Sequence, residues 1–453
     1  MTTRRAFLAS ASGLAGTAAL GVPALTAFHP RAADLARELK KHGGQPAEVA
    51  ENEAFWVHVA RAFTVDRSVI NLNNGSVSPS PVVVQDVMKR YLDYCNTAIP
   101  AHALWGTLHP QREGTRRALA QQFGGDAEEL AITRNTSESL QILQLGLPLV
   151  AGDEVLTTTA DYPRMIQTFQ QRERREGIKL VRFQIPVPTA DADPARYNAE
   201  VVRLFESHIT PRTRMILCSH MGFLNGGVLP VKEICALGRR HNIPVLVDAA
   251  HSLAHMDYRI TDLECEYLGV SLHKWLCAPH GTGLLYVKRD RIKGVWPLMA
   301  ATEASDENIR KFEEIGTHPA ANHLAIAEAI TFHDGIGGAR KLARLVYLRD
   351  LWVNRLSQGK HADRVQLHTA LAPGMAGGIA TVEIDGFTVP DLRAWLWSTR
   401  QVFTTPVEDA VETPTELHHN VRGLRISPNV YTTPHEIERF CEALEHAMEH
   451  GIG

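Results

Sequence analysis

The 453-residue chain has only six cysteines, at positions 95, 218, 235, 265, 277 and 441, and no CxxC spacing among them. That pattern supplies neither the thiol cluster of a zinc module nor a disulfide framework. An excess of charge of one sign is missing too: 47 Lys plus Arg stand against 50 Asp plus Glu, a net charge of −3. So balanced a chain has no long-range field to gather nucleic acid. Beyond the first thirty residues no apolar run approaches the ~18 residues that cross a bilayer. What is present, 44% hydrophobic and 21% charged residues, is the make-up of a folded globular chain with room for two or three domains.

The N-terminus reads as an address. Thr3-Arg4-Arg5-Ala6-Phe7-Leu8 sets two adjacent arginines before an apolar pair, and a weakly hydrophobic stretch runs from Ala9 to Ala27. A basic start, a short apolar region and small residues near Ala24 or Ala27 form a removable export signal. The arginine pair resembles the twin-arginine type, whose route carries folded proteins. Residues 1–27 are therefore expected to be a twin-arginine signal peptide and the mature protein periplasmic. A chance arginine pair in a disordered tail is the plainer alternative. Cysteines without pattern fit a chain that folds in reducing cytoplasm before export.

After a polar N-terminal segment at 28–69, short β-rich runs recur at Leu130–Thr133, Asp153–Thr158, Ile178–Phe183, Met215–Ser219, Pro244–Val247, Tyr267–Val270 and Leu284–Val287. Helical periodicity fills most gaps, as at Glu138–Leu147, Arg164–Glu176 and Val231–His241. That alternation predicts an α/β fold with a mostly parallel sheet in a large domain over 70–330. From 331 to 453 the spacing changes to a long helix near 338–358, an alternating Gly378–Ile384 and a last helix after Pro434, a smaller α+β domain.

Three strand ends of the predicted sheet carry chemistry. Val245-Leu246-Val247-Asp248 puts a carboxylate at the end of a buried strand, where open α/β sheets bind ligands. Ser271-Leu272-His273-Lys274 follows the next strand, and desolvation there lowers a lysine's pKa toward a reactive amine. Ala131 to Ser139 runs from strand into helix, with Thr136 or Ser137 as the expected cap and an anion site at the free N–H groups of the first turn. Lysine for an aldehyde, aspartate for a pyridinium nitrogen and a helix N-terminus for a phosphate are what pyridoxal 5'-phosphate requires. A silent Lys–Asp ion pair and an ordinary N-cap would account for the same residues taken singly.

In order and wording these segments resemble the class V aminotransferase family of fold-type I pyridoxal-phosphate enzymes, in its isopenicillin-N-epimerase-like branch, over residues 70 to 445. The resemblance implies a role for each matching segment. Leu72 to Pro79 would open the active site, with Asn74 and Gly75 at the substrate. Asn135, Thr136 and Ser137 would cradle the phosphate, with Ser271 and His273 reaching it. Tyr162 would stack on the ring, and Ser219-His220 would lie on its oxygen side. Asp248 would hold the ring nitrogen, His251 would stand near the phenolic oxygen and Lys274 would bind the aldehyde. Gly316-Thr317 resembles the turn that reaches a neighbouring subunit's phosphate, which implies a homodimer. Arg425 would grip a substrate carboxylate bidentately.

Two departures stand out. Phe223 occupies a position that is polar in many relatives, so that contact is either lost or supplied by Asn225 or His251. Phe403 to Gly423 contains no cysteine, whereas the family's desulfurases need a thiol there. The expected activity is thus transamination or epimerisation of an amino acid or peptide-like metabolite, with siderophore or secondary-metabolite maturation as an analogy. A β-lyase and a catalytically silent cofactor-bound sensor are the alternatives. No metal is expected: His418-His419 has no partner at ligand spacing. Gly281-Thr282-Gly283 lacks the third glycine of a dinucleotide turn. The Trp395-Leu396-Trp397 stretch reads as small-domain core.

Overall fold

The computed structural model describes residues 30–97, 99–408 and 420–453. The expected signal peptide and the His418-His419 pair lie outside them. The polar N-terminal segment forms helices α1 (Pro30–Lys41) and α2 (Pro46–Glu51), which pack on later parts of the chain. A two-residue strand β1 (Ile70–Asn71) precedes the main sheet.

Seven strands form that sheet: β2 (Leu130–Thr133), β3 (Glu154–Thr158), β4 (Lys179–Phe183), β5 (Thr213–Ser219), β6 (Val245–Asp248), β7 (Tyr267–Ser271) and β8 (Gly283–Val287). Their order is β2-β8-β7-β6-β5-β3-β4. Strands β3 to β7 run parallel, joined by crossovers such as α5 (Pro163–Glu176), α6 (Pro194–Ser207) and α7 (Val231–His241), which follow α3 (His109–Phe123) and α4 (Thr136–Gly146) along the chain. The loop from Leu272 to Thr282 is too short for a crossover helix, so β8 returns antiparallel to β7 and also pairs antiparallel with β2. Two reversals leave β2 pointing the same way as β7. The carboxyl ends Thr133, Ser219, Asp248 and Ser271 therefore share one sheet edge. Strands β6, β7 and β8 are buried along their whole length, as their continuous apolar runs require.

The C-terminal part builds a four-stranded antiparallel sheet, β12-β13-β10-β9, from β9 (Val365–Leu367), β10 (Ala380–Ile384), β12 (Thr405–Val407) and β13 (Gly423–Ile426). Helices α9 (Gly338–Gln358) and α11 (Pro434–His450) cover it, after α8 (Ile326–Ile336) and with α10 (Val389–Arg400) between them. Strand β1 pairs in parallel with β11 (Val402–Phe403), and Ile70 and Leu72 are buried in this second core. Trp395 packs partly against that core, but Trp397 is 43% exposed, which corrects the expectation that both are core.

A buried ion pair fixes the edge of the large sheet. Arg116 on α3 donates to Glu313 at 2.5 and 3.0 Å and to the Leu130 carbonyl, while Glu313 also accepts from Ile132 N at 2.6 Å. Strand β2, which leads into α4, is thus tied on its free edge by one carboxylate, while β8 holds its other edge. Replacing Glu313 by Ala leaves Arg116 only Glu113 and the Leu130 carbonyl and strips the buried Ile132 N–H of its side-chain acceptor. The expected loss is about 1–3 kcal/mol, read as a lowered denaturant midpoint.

Candidate active site

The turn between β2 and α4 is capped by Asn135, not by Thr136 or Ser137 as expected. Asn135 is extended, with φ at −177°, and its Oδ1 accepts from Glu138 N at 2.9 Å. An amide one residue earlier closes the helix and frees the Thr136 hydroxyl, which meets Ser271 Oγ at 2.8 Å while Thr136 N donates to the same oxygen at 3.0 Å. Ser137 is half-buried beside them. Gly283 makes the turn possible: a Cβ there would stand 2.6 Å from Asn135 N and Cα. The eleven-residue α4 therefore opens on Asn135, Thr136, Ser137 and Ser271 together, an N-terminus suited to an anion.

Asp248 ends β6 and is 6% exposed. Its Oδ1 accepts from Ala250 N at 2.9 Å, and burial pushes its carboxyl up to about 6 against the pull of Lys274. His220, at the end of the neighbouring β5, is buried; desolvation lowers it to about 4, and its Nδ1 has no partner among the described residues. Beneath both lies a group that the sequence reading passed over. Asp161 is buried and accepts from Thr157, Thr158 and Ser219, including the Ser219 backbone N–H and hydroxyl at 2.8 Å each. It ties the ends of β3 and β5 and sets the position of the next residue, Tyr162, whose half-exposed ring meets the edge of Phe223 at 5.3 Å.

Lys274 sits on the β7–β8 loop with Nζ 3.3 Å from His251 Nε2. Desolvation lowers its amine to about 8, opposed by Asp248 and assisted by Arg425. His251 is buried, and Gly75 lies so close that a Cβ would come 3.4 Å from its Cε1 and 3.2 Å from Ser427 Oγ. His273 is half-buried, lowered to about 4 by burial, and its Nδ1 donates to the Thr282 carbonyl at 3.2 Å. In that neutral form Nε2 is an acceptor, so His273 reaches a phosphate as a donor only when protonated.

Arg425 is the second cation of the site. It is 4% exposed and lowered to about 10 by burial. Nη1 donates to the Phe223 carbonyl at 2.7 Å; Nη2 faces Asn73 Oδ1, Ser76 Oγ and Thr405 Oγ1 at 3.0–3.3 Å; Nε is buried without a partner among the described residues. Every one of these contacts is neutral. Phe223 thus contributes its backbone, while Asn225 is committed to His368 O and Gly227 N, which removes it as the substitute contact. Asn74 is likewise spent: its amide bonds Asn71 O and Ser427 O, and its oxygen takes the Tyr431 hydroxyl at 2.6 Å. It braces the loop, and Asn73 and Ser76 face the guanidinium instead. Thr317 is exposed on the Gly316 turn and shares no hydrogen bond with this cluster among the described residues.

These groups fit pyridoxal phosphate. An amine of low pKa, a buried carboxyl, an unpartnered His220 nitrogen and a helix N-terminus share one edge. Such a site costs stability while it is bare. Because the folded protein prefers Asp248 neutral, stability is full below the ordinary carboxylate range and falls as pH rises through about 6. Asp248→Asn should therefore stabilise the cofactor-free protein at pH 8 by up to roughly 3 kcal/mol and leave it unchanged near pH 4. Denaturation at the two pH values checks the difference.

A family model described as Aminotransferase class-V matches residues 69–440. Isopenicillin N epimerase of Streptomyces clavuligerus is 29% identical over 419 residues, covering 86% of this chain and 98% of that protein. The apo structure of a cysteine desulfurase from Thermococcus onnurineus NA1 is similar with a TM-score of 0.71 at 22% identity, over 86% of this chain and 97% of that one. A C-DES variant with glycine covalently linked to its PLP cofactor gives 0.71 at 23%, over 85% and 98%. These solved structures share the fold, and the match of 69–440 covers most of the chain. The chain belongs to the class-V aminotransferase family of pyridoxal-phosphate-dependent enzymes.

Proposed function

We propose that this enzyme binds an amino acid or peptide-like metabolite by its carboxylate and moves the proton on the carbon that bears the amine. One observation carries the reading: Arg425 is a buried guanidinium whose partners among the described residues are all neutral and whose Nε has none among them. A buried cation without a counter-ion is costly, and a substrate carboxylate supplies the missing charge with bidentate geometry. Bound pyridoxal phosphate supplies an electron sink for the carbanion. With that group bound, Asp248 would hold a proton at the ring nitrogen, the α4 N-terminus with Thr136 and Ser271 would hold the phosphate, and Tyr162 would fix the ring plane. Lys274, whose lowered pKa of about 8 leaves a large neutral share of its amine at that pH, takes and gives the proton.

Protonation of that carbon on the face opposite to the one deprotonated gives epimerisation, whereas with bound cofactor a proton placed on the cofactor side instead would give transamination. Likeness to isopenicillin N epimerase along nearly its whole length favours the first. A persulfide-forming reaction has less support: five of the six cysteines are buried, and the sixth, Cys95, has its thiol pKa raised by burial. Residues 1–27 are the proposed twin-arginine signal, the periplasm the proposed location and a homodimer the proposed assembly.

Incubating the enzyme with α-amino acids and small peptides in D₂O separates these outcomes. Epimerisation gives deuterium at Cα with inversion and no keto acid; a panel with neither exchange nor keto acid overturns the proposal. Arg425→Lys should cost about 1.5–3 kcal/mol, or roughly tenfold to 150-fold in kcat/KM, for carboxylate substrates and leave amines without a carboxylate nearly unaffected.

A further inference from the structure

Behind the Lys274 amine lies a row of aromatic groups that the proposed reaction does not use. Trp275 follows the lysine in sequence and is wholly buried. Its indole Nε1 lies 3.4 Å from His251 Nδ1, and the opposite nitrogen of that imidazole, Nε2, lies 3.3 Å from Lys274 Nζ. Trp275 is held at its ring and at its backbone. His255 packs on it with centroids 3.9 Å apart and is itself pinned by Gly378 N, which donates to its Nε2 at 2.7 Å. Lys341 Nζ donates to the Trp275 carbonyl.

An indole N–H only donates, so His251 Nδ1 must accept. A neutral imidazole has one N–H, and with Nδ1 accepting it sits on Nε2, facing the lysine. His251 is kept neutral by burial and by the cations around it, Lys274 and Arg425, with His255 on the same side. The amine of Lys274 then meets a donor. A neutral amine can accept from that N–H, whereas an ammonium is repelled by it.

We propose that Trp275 is a positioning residue, whose indole N–H locks His251 in the tautomer that donates to the Lys274 amine and so keeps that amine uncharged and ready to react. The proposal rests on the reading of Lys274 as the working amine. Without the indole N–H, His251 is free to move its proton to Nδ1 and accept from an ammonium, and the charged form of Lys274 gains a partner. The groups that face Lys274 from the other elements are Asp248 on β6 and Arg425 on β13; they are the same in both situations.

Trp275→Phe keeps the ring and removes the donor. Two readouts test it on the full chain. In the first, cofactor-stripped protein is mixed with pyridoxal phosphate across pH, and the rate at which the visible band forms is followed. The wild-type rate should level off above about pH 8, and Trp275→Phe should move that midpoint upward by about half a unit or more. In the second, nitrogen NMR of histidine-labelled wild-type protein reports the His251 tautomer directly, which needs no variant to fold. The proton is expected on Nε2; a proton on Nδ1 overturns the proposal, as does a Trp275→Phe midpoint equal to that of the wild type. Lys274→Ala separates the two levels. If that variant still forms the visible band, the assignment of Lys274 fails. If it does not, while Trp275→Phe keeps the wild-type midpoint, only the role of Trp275 fails.

Discussion

Desolvation of ionisable groups at one edge of the large sheet is the constraint on which the rest depends. Lys274, Asp248 and Arg425 are all displaced from their ordinary pKa values with burial as the first cause, each toward its neutral form. No single pairing cancels that cost. Lys274 and Asp248 attract each other, but Arg425 adds a second positive charge and lowers Lys274 further. On the proposed reading, this cluster receives a ligand that brings a basic ring nitrogen, an aldehyde and, with substrate, a carboxylate. The energy that folding leaves unspent there becomes binding and positioning energy.

The scaffold that permits this is outside the cluster. The Arg116–Glu313 pair holds β2, and through it the start of α4, while Asp161 gathers five donors to fix the ends of β3 and β5. Ser427 accepts from Gly75 N and places the 73–76 loop against Arg425, so a strand of the C-terminal sheet and a loop near the N-terminus meet at the guanidinium. The short antiparallel return of β8 keeps Lys274 on a tight loop rather than on a flexible crossover. Rigid supports of this sort let a charged site persist without collapsing.

Much of this was legible in the sequence because strands buried on both faces leave continuous apolar runs. The runs ending at Thr133, Val247 and Val287 closely foretell β2, β6 and β8, and the long α9 begins and ends where its periodicity does. Helix ends were harder. Asn, Ser and Thr are all good caps, so Asn135-Thr136-Ser137 could not be resolved without the backbone that makes Asn135 extended. Residues that act through long-range contacts were not legible at all. Nothing near Glu313 in the chain signals a bond to Ile132, and Asn73 and Asn74 are adjacent asparagines that differ only in which one the fold turns toward Arg425. Trp275 could have been noticed for following the lysine, but its N–H direction is a property of the folded loop.

The most direct measurement is covalent. Reducing the enzyme in the presence of pyridoxal phosphate with borohydride and mapping the modified peptide reads out which amine the cofactor joins. The account predicts a single pyridoxyl group on Lys274. A label on other lysines with Lys274 untouched would contradict it.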